Sequence, residues 1–363
     1  MSSDIFLKLG ERLNKNFVRL PLIEPVLDFL KEVYTAEQAA LGAEFPMGAN
    51  TLRDLAKQLN RDETELEILI EAMADEGLIF VAKNKNNENE YSLTPFLPGI
   101  VEMQTIKGEE TEKVRKRARL LMKVHEALDA ITKDSYENPD IPKESIAFPG
   151  LRTLAVEEKL PTDTTIATYE QLTDIINKED SFAVGACACR QEAKLNNHPC
   201  KVTDAAKFSC IYFGKVADYM TDRNLAKKFS RNEVMSLLKD CEKVGLVHNI
   251  NNFIGNNIVL CNCCGCCCEH MIIMKKYRGI TRISGSNFVA SVNNDNCIEC
   301  GDCVDVCQME AIQLEEGILA INQNHCIGCG NCASICPVDS LYLVRCSEVK
   351  PQEMPAEIVG LGL

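Results

Sequence analysis

The residues Cys261-Asn-Cys-Cys-Gly-Cys-Cys-Cys268 place six cysteines within eight positions. Neighbouring cysteines are badly placed for disulfide geometry, so these thiols cannot simply pair with one another. A hydrophobic core has no use for them in that pattern. A soft metal centre does, which for a thiolate-rich site means iron–sulfur, zinc or copper(I). The other cysteines follow the same logic. There are 20 in the 363-residue chain, and none precedes Cys187. A secreted disulfide scaffold would spread its cysteines and carry an export signal. Metal in a reducing cytoplasm is the expectation. The opening residues are amphipathic without a signal peptide's apolar run, and no stretch approaches the roughly 18 uncharged apolar residues of a membrane span.

The formal net charge of −14 argues against nucleic acid, whose phosphates must be neutralised by Lys and Arg. Residues 3 to 33 suggest two amphipathic helices. Leu52, Leu55, Ala56 and Leu59 then share one helical face. Asp62 caps a second helix through Glu76, with Leu66, Leu69, Ile70 and Met73 inward. Two strand-like runs, Leu78–Ala82 and Glu90–Thr94, flank a polar turn. This order of helix, turn, helix and hairpin resembles a winged helix-turn-helix domain. The would-be recognition helix carries Asp62, Glu63, Glu65, Glu67, Glu71, Asp75 and Glu76 and no base. Phosphates would repel it, so the module is expected to bind protein. Residues 109 to 133 form a long helical pattern bearing Arg115, Lys116, Arg117 and Arg119, a solvated face or a docking patch for an acidic surface. Residues 134 to 165 read as an extended connector.

From residue 166 the cysteines begin. A strand at Phe182–Gly185 leads to Cys187-Ala-Cys189-Arg190, and Cys200 and Cys210 follow at loop and helix-start positions. Ser230-Arg-Asn-Glu233 is a capping box opening a helix to about Lys243. Leu246–Ile250 and Asn257–Cys261 form a hairpin that delivers Cys261 at a strand end. Candidate metal ligands are Cys187, Cys189, Cys200, Cys210, Cys261, Cys263, Cys264, Cys266, Cys267 and Cys268. A cubane needs four thiolates. Ten could serve two cubanes with two to spare, or one larger or atypical cluster. Zinc competes, but structural zinc favours separated Cys-x-x-Cys knuckles. Arg190 could hydrogen-bond to cluster sulfur or make a surface salt bridge. His198, His248 and His270 are minor ligand candidates, and Cys241 and Cys346 read as plain thiols.

The last cysteines carry the sharpest spacing. Cys297-x-x-Cys300-x-x-Cys303-x-x-x-Cys307 recurs 29 residues on as Cys326-x-x-Cys329-x-x-Cys332-x-x-x-Cys336-Pro337. The two halves are an internal repeat, with Ala311–Leu314 matching Ser340–Leu343. The spacing resembles that of a bacterial-type two-cluster ferredoxin. The resemblance implies two 4Fe-4S clusters, one on Cys297, Cys300, Cys303 and Cys336, the other on Cys326, Cys329, Cys332 and Cys307. Gln308 stands where that pattern usually has proline. Residues 293 to 346 hold eight acids and one base, Arg345, a surface suited to brief docking of basic redox partners. The block from Cys187 to Cys268 ahead of a ferredoxin is similar to multi-domain 4Fe-4S-binding proteins found mostly in anaerobes. That similarity implies metal content more than a reaction.

The expected fold is α+β and multi-domain. A winged-helix-like domain spans 1–105, a linker helix and connector 106–165, a cysteine-rich iron–sulfur domain 166–285, a ferredoxin-like domain 286–346 and a tail 347–363. No Rossmann fingerprint or Walker A loop is visible, and no catalytic acid/base constellation can be placed. The expectation is a cytoplasmic iron–sulfur electron-transfer protein or subunit, with one or two additional clusters in the cysteine-rich domain. It would work with redox partner proteins, as a homo-oligomer or within a larger complex. The alternatives are an oxidoreductase with a catalytic atypical cluster, and a redox-responsive transcription regulator.

Overall fold

A computed structural model describes residues 2–141, 150–203 and 208–356. The chain opens with α1 (Ser2–Leu13), α2 (Glu24–Val33) and α3 (Ala36–Glu44). Pro25 starts α2, where its missing amide hydrogen loses nothing. Thr35 and Gln38 close a capping box on α3. There follow β1 (Asn50–Thr51), α4 (Leu52–Leu59), α5 (Glu63–Asp75), β2 (Ile79–Lys83) and β3 (Asn89–Leu93). Asp62 caps α5 by accepting from the Thr64 and Glu65 amides at 2.9 and 3.1 Å, a contribution of about 1 kcal/mol. Gly77 turns the chain out of the helix at φ +78°. The three strands form a small antiparallel sheet in the order β1-β3-β2.

A short turn, α6 (Val101–Met103), leads to the long α7 (Glu112–Glu137). The basic cluster on α7 is used internally. Arg117 is buried and donates to Glu76 and Gln104, Lys116 pairs with Glu32, and Arg115 with Glu110. The acidic face of α5 is thus partly neutralised from within. Arg223, from the middle of the chain, adds ion pairs to Glu71 and Asp75.

The centre is a seven-stranded sheet. Its strands are β4 (Leu151–Thr153), β5 (Phe182–Ala186), β6 (Phe208–Phe213), β7 (Lys227–Phe229), β8 (Val247–Asn251), β9 (Val259–Cys263) and β10 (Ile283–Ser284). Their order is β10-β4-β8-β9-β6-β5-β7, and only the β10-β4 pair is parallel. The stretch read as an extended connector therefore supplies a sheet strand, β4; the part of it at residues 142–149 lies outside the described residues. Helices α8 (Leu172–Lys178), α9 (Ala188–Leu195), α10 (Gly214–Asp222), α11 (Arg231–Lys243) and α12 (Glu269–Lys276) surround the sheet. Ser230 and Glu233 form the capping box of α11. One buried cluster runs without a break from Phe6, Leu30 and Ile70 to Ala183, Tyr212 and Met220. The Tyr219 hydroxyl on α10 donates to the Ala74 carbonyl at the end of α5.

The C-terminal unit comprises β11 (Phe288–Val292), α13 (Asp302–Val306), β12 (Ile312–Glu315), β13 (Ile318–Ile321), α14 (Asn331–Ile335) and β14 (Leu341–Arg345). β11 pairs with β14 and β12 with β13, both antiparallel. Arg345, the single base of this stretch, turns inward. It holds Glu170 through both Nη atoms at 3.1 and 3.0 Å and lies over the Phe288 ring. The fold mixes helix and strand and ends in this ferredoxin-like unit. Among the described residues no helix is long and apolar enough to cross a membrane.

Candidate metal centres

The ferredoxin-like unit brings its eight repeat cysteines together as two groups. Cys297, Cys300, Cys303 and Cys336 line one cavity with about 350 Å³ of empty space. Cys307, Cys326, Cys329 and Cys332 line the other, with about 410 Å³. Each group takes three sulfurs from one repeat and the last from the other. The repeat extends to the backbone around them. The Ala311 amide donates to Cys307 Sγ at 3.3 Å, and the Ser340 amide to Cys336 Sγ at 3.2 Å. Such bonds favour charge on sulfur. Gly328 shows why its position takes no side chain: a Cβ there would lie 1.9 Å from the Phe288 carbonyl oxygen, and its φ is +66°. Cavities ringed by four thiols suit clusters with four thiolate ligands.

The two groups face different ways. Cys300 is exposed, as are Ile298, Val338 and all eight acids of the unit. The other group faces the central sheet. Val247 of β8 lines its cavity, and Met309 and Ile327 pack with Cys263 and Cys268. Gln308 occupies this seam. Its side-chain oxygen accepts from the Gly265 amide at 2.8 Å. The residue that departs from the ferredoxin pattern thus grips the middle of the cysteine-rich loop.

The ten cysteines of the central unit fall into two sets. Cys200, Cys264, Cys266 and Cys267 have all four sulfurs within 4.8 Å of one another. Cys200 Sγ lies 3.5 Å from Cys264 Sγ and 3.6 Å from Cys266 Sγ. Hydrogen bonds from Cys264 and Cys267 hold the Cys200 thiol well below its usual range, while Cys264 is pushed up to about 12 by the bond it gives.

The other six are arranged by the sheet. Strand alternation puts Cys261 and Cys263 of β9 on one face. The β6-β9 register pairs Ile211 with Leu260, which sets Cys210 beside Cys261. Cys210 therefore lies within a strand, not at the loop or helix start expected from sequence, and only the neighbouring strand reveals its partner. β5 pairs with β6 and ends at Ala186, next to Cys187, the N-cap of α9. Cys268 is the N-cap of α12. Sulfur contacts then close a ring: Cys187 to Cys189, Cys189 to Cys268, Cys268 to Cys263, Cys263 to Cys261, Cys261 to Cys210, and Cys210 to Cys187. Bonds from their neighbours hold Cys187 and Cys268 well below the usual thiol range. Both sit at helix N-termini, where a thiolate is favoured.

Arg190 lies between the two sets and is fully buried. It donates from Nη1 to the Asn262 carbonyl at 2.9 Å and from Nη2 to the Ser209 hydroxyl. Burial opposes its charge. The sulfurs of Cys187, Cys264 and Cys210 outweigh that and hold its pKa above the usual arginine value. A buried cation needs a counter-charge, and the groups around Arg190 that can supply one are cysteine sulfurs. This favours the first of the two readings of Arg190 over a surface salt bridge, and it is the test that a negatively charged metal–thiolate centre passes here. His248 uses both ring nitrogens, on Asn262 and Glu242, and His198 is exposed. His270 follows Cys268 and Glu269, and burial lowers its pKa. Cys241 is buried beside Cys264 and Cys267 but stands outside both sets. Its helical spacing from Val234 and Leu238 is the sequence signal that it faces inward. Burial pushes its pKa up to about 12.

Residues 290–343 match the family model of the 4Fe-4S dicluster domain. No curated protein and no solved structure matches the chain. The match and the cysteine groups mark an iron–sulfur, metal-binding protein that carries at least one 4Fe-4S cluster.

Proposed function

We propose that this is a cytoplasmic electron-transfer protein with two 4Fe-4S clusters in residues 286–346 and further iron–sulfur centres on the ten central cysteines. Cys297, Cys300, Cys303 and Cys336 would hold the outer cluster, and Cys307, Cys326, Cys329 and Cys332 the inner one. Such clusters, when bound, supply one-electron transfer. One observation carries the reading. The matched dicluster unit opens one sulfur group to an exposed acidic face and seats the other on the central cysteines through Gln308 and Gly265. Glu299, Asp302 and Asp305 surround exposed Ile298 and Cys300, a rim suited to steering a basic redox partner. The order of α3, β1, α4, α5, β2 and β3 supports a winged-helix-like module. Its helix α5 is acidic and its C-terminal end is covered by α10, which favours a protein-contact role over nucleic acid.

The test is anaerobic purification with iron and sulfide quantification, EPR on reduction, and stopped-flow oxidation by a small basic haem protein. Electron exchange should slow as salt rises and slow again with Asp302→Lys/Asp305→Lys. Exchange insensitive to both would sink the docking surface, and a protein without low-potential cubane signals would sink the function.

A second reading, reduction of a small substrate at the central sulfurs, has one observation in its favour. Glu102, His125, Glu192 and Glu269 form a half-buried ionisable group close to the ring. A substrate-induced change in the EPR spectrum without partner protein would support it.

A further inference from the structure

We propose that the ten central cysteines form two separate centres, and that the ring of Cys187, Cys189, Cys210, Cys261, Cys263 and Cys268 holds a single iron–sulfur cluster of more than four irons. This rests on the iron–sulfur reading of the central unit. The set of Cys200, Cys264, Cys266 and Cys267 supplies the four thiolates that one ordinary cubane or one tetrahedral metal ion takes. The ring exceeds it by two.

Spare cysteines in a core usually behave as small hydrophobes. The ring argues against two such bystanders. Each of its six sulfurs contacts two others of the ring, so none stands apart as surplus. The six come from four different places: the junction of β5 and α9, strand β6, strand β9, and the start of α12. Four of them are buried, Cys187, Cys210, Cys263 and Cys268. The coordination count points the same way. Two separate cubanes need about eight thiolates, four each. Six is two short of that and two more than a single cubane takes, so one larger cluster is what would engage all six. Arg190 supplies the charge argument. It is fully buried, it faces Cys187 and Cys210 of the ring and Cys264 of the four-sulfur set, and it donates to Cys264 as well as to the oxygens of Asn262 and Ser209. One cation held between two thiolate sets fits two anionic centres on either side of it.

The experiment uses the full chain, made and kept anaerobic, with iron, acid-labile sulfide and zinc measured per chain. The variant Cys200→Ser/Cys266→Ser removes two of the less buried ligands of the four-sulfur set. We expect this variant to keep more than about twelve irons, eight of them in the ferredoxin-like unit. We also expect each single Cys→Ser change in the ring to alter one and the same EPR signal while the ferredoxin signals persist. Retention of only about twelve irons, or ring substitutions that leave the spectrum untouched at two positions, overturns the proposal in favour of one ordinary cubane with two bystanders. About eight irons with zinc at the central cysteines refutes the iron–sulfur reading itself. The iron count of the double variant does not depend on whether any ring variant folds.

Discussion

Gly265→Ala tests the seating of the ferredoxin-like unit on the cysteine-rich loop. A Cβ at Gly265 would lie 2.1 Å from the Gln308 carbonyl oxygen and 3.0 Å from its carbonyl carbon. Both are backbone atoms, so no side chain can swing aside. Ordinary contact begins at 3.4 Å, and the two backbones must separate by roughly 1 Å. Overpacking of this kind costs about 1–3 kcal/mol. The displaced residue follows Cys307, so the strain falls on the inner sulfur group, and the Gly265–Gln308 hydrogen bond stretches with it. Gly301→Ala is the control. It meets nothing within 4 Å but sits at φ +85°, so its cost of about 1–2 kcal/mol is conformational and local. Anaerobic urea unfolding and EPR of the reduced protein read both. Gly265→Ala should lower stability and change the inner cluster's signal or its coupling to the central centres. Gly301→Ala should lower stability alone or disturb the outer signal. A Gly265→Ala protein with unaltered stability and spectrum would refute the seam between the loop and Gln308.

Three further outcomes follow from the same geometry. Arg190→Met removes a buried cation from between the sulfur sets; a nearby cation stabilises a reduced cluster, so on the proposed iron–sulfur reading of the central cysteines their potentials should fall by about 60–120 mV in an EPR-monitored redox titration. Glu170→Ala takes from Arg345 its counter-charge and from the Asn287 amide one of its two acceptors and should cost about 1–3 kcal/mol in unfolding stability, with the ferredoxin-like unit loosening first. His125 lies 3.0 Å from Glu192. Burial opposes its protonation, but the bond and charge of Glu192, with Glu269 and Glu102, push it up to about 9 from an ordinary 6.5. The pair's contribution is complete below pH 6.5 and is lost as pH rises through about 9. His125→Asn should therefore narrow the stability difference between those limits by up to about 3 kcal/mol in thermal melts across pH.

Much of the metal chemistry is legible in the order of residues. The repeated Cys-x-x-Cys-x-x-Cys-x-x-x-Cys spacing constrains which sulfurs can meet, because three of each group lie within one tight loop. The helix caps at Asp62 and Ser230 and the hairpin ahead of Cys261 are likewise local, set by hydrogen bonds between residues a few positions apart. The seven acids of α5 and its two capping positions argue by charge alone, and charge needs no fold.

What the sequence could not divide is the run Cys261 to Cys268. Alternation along β9 sends Cys261 and Cys263 toward one set, and the turn at Gly265 sends Cys264, Cys266 and Cys267 toward another. The partners in the ring, Cys187 and Cys210, are chosen by the register of β5, β6 and β9, which joins residues far apart in the chain. The same holds for Arg190, whose burial between sulfurs depends on where α9 packs, for β4, whose three residues gain meaning only beside β8, and for Gln308. Read alone, Gln308 is a missing proline. In the fold it is the contact between the ferredoxin-like unit and the cysteine-rich loop. Local spacing determined that this chain carries metal on cysteine. Only tertiary packing decided how the central sulfurs are shared, because strand register and side-chain facing are properties of neighbours and not of the segment itself.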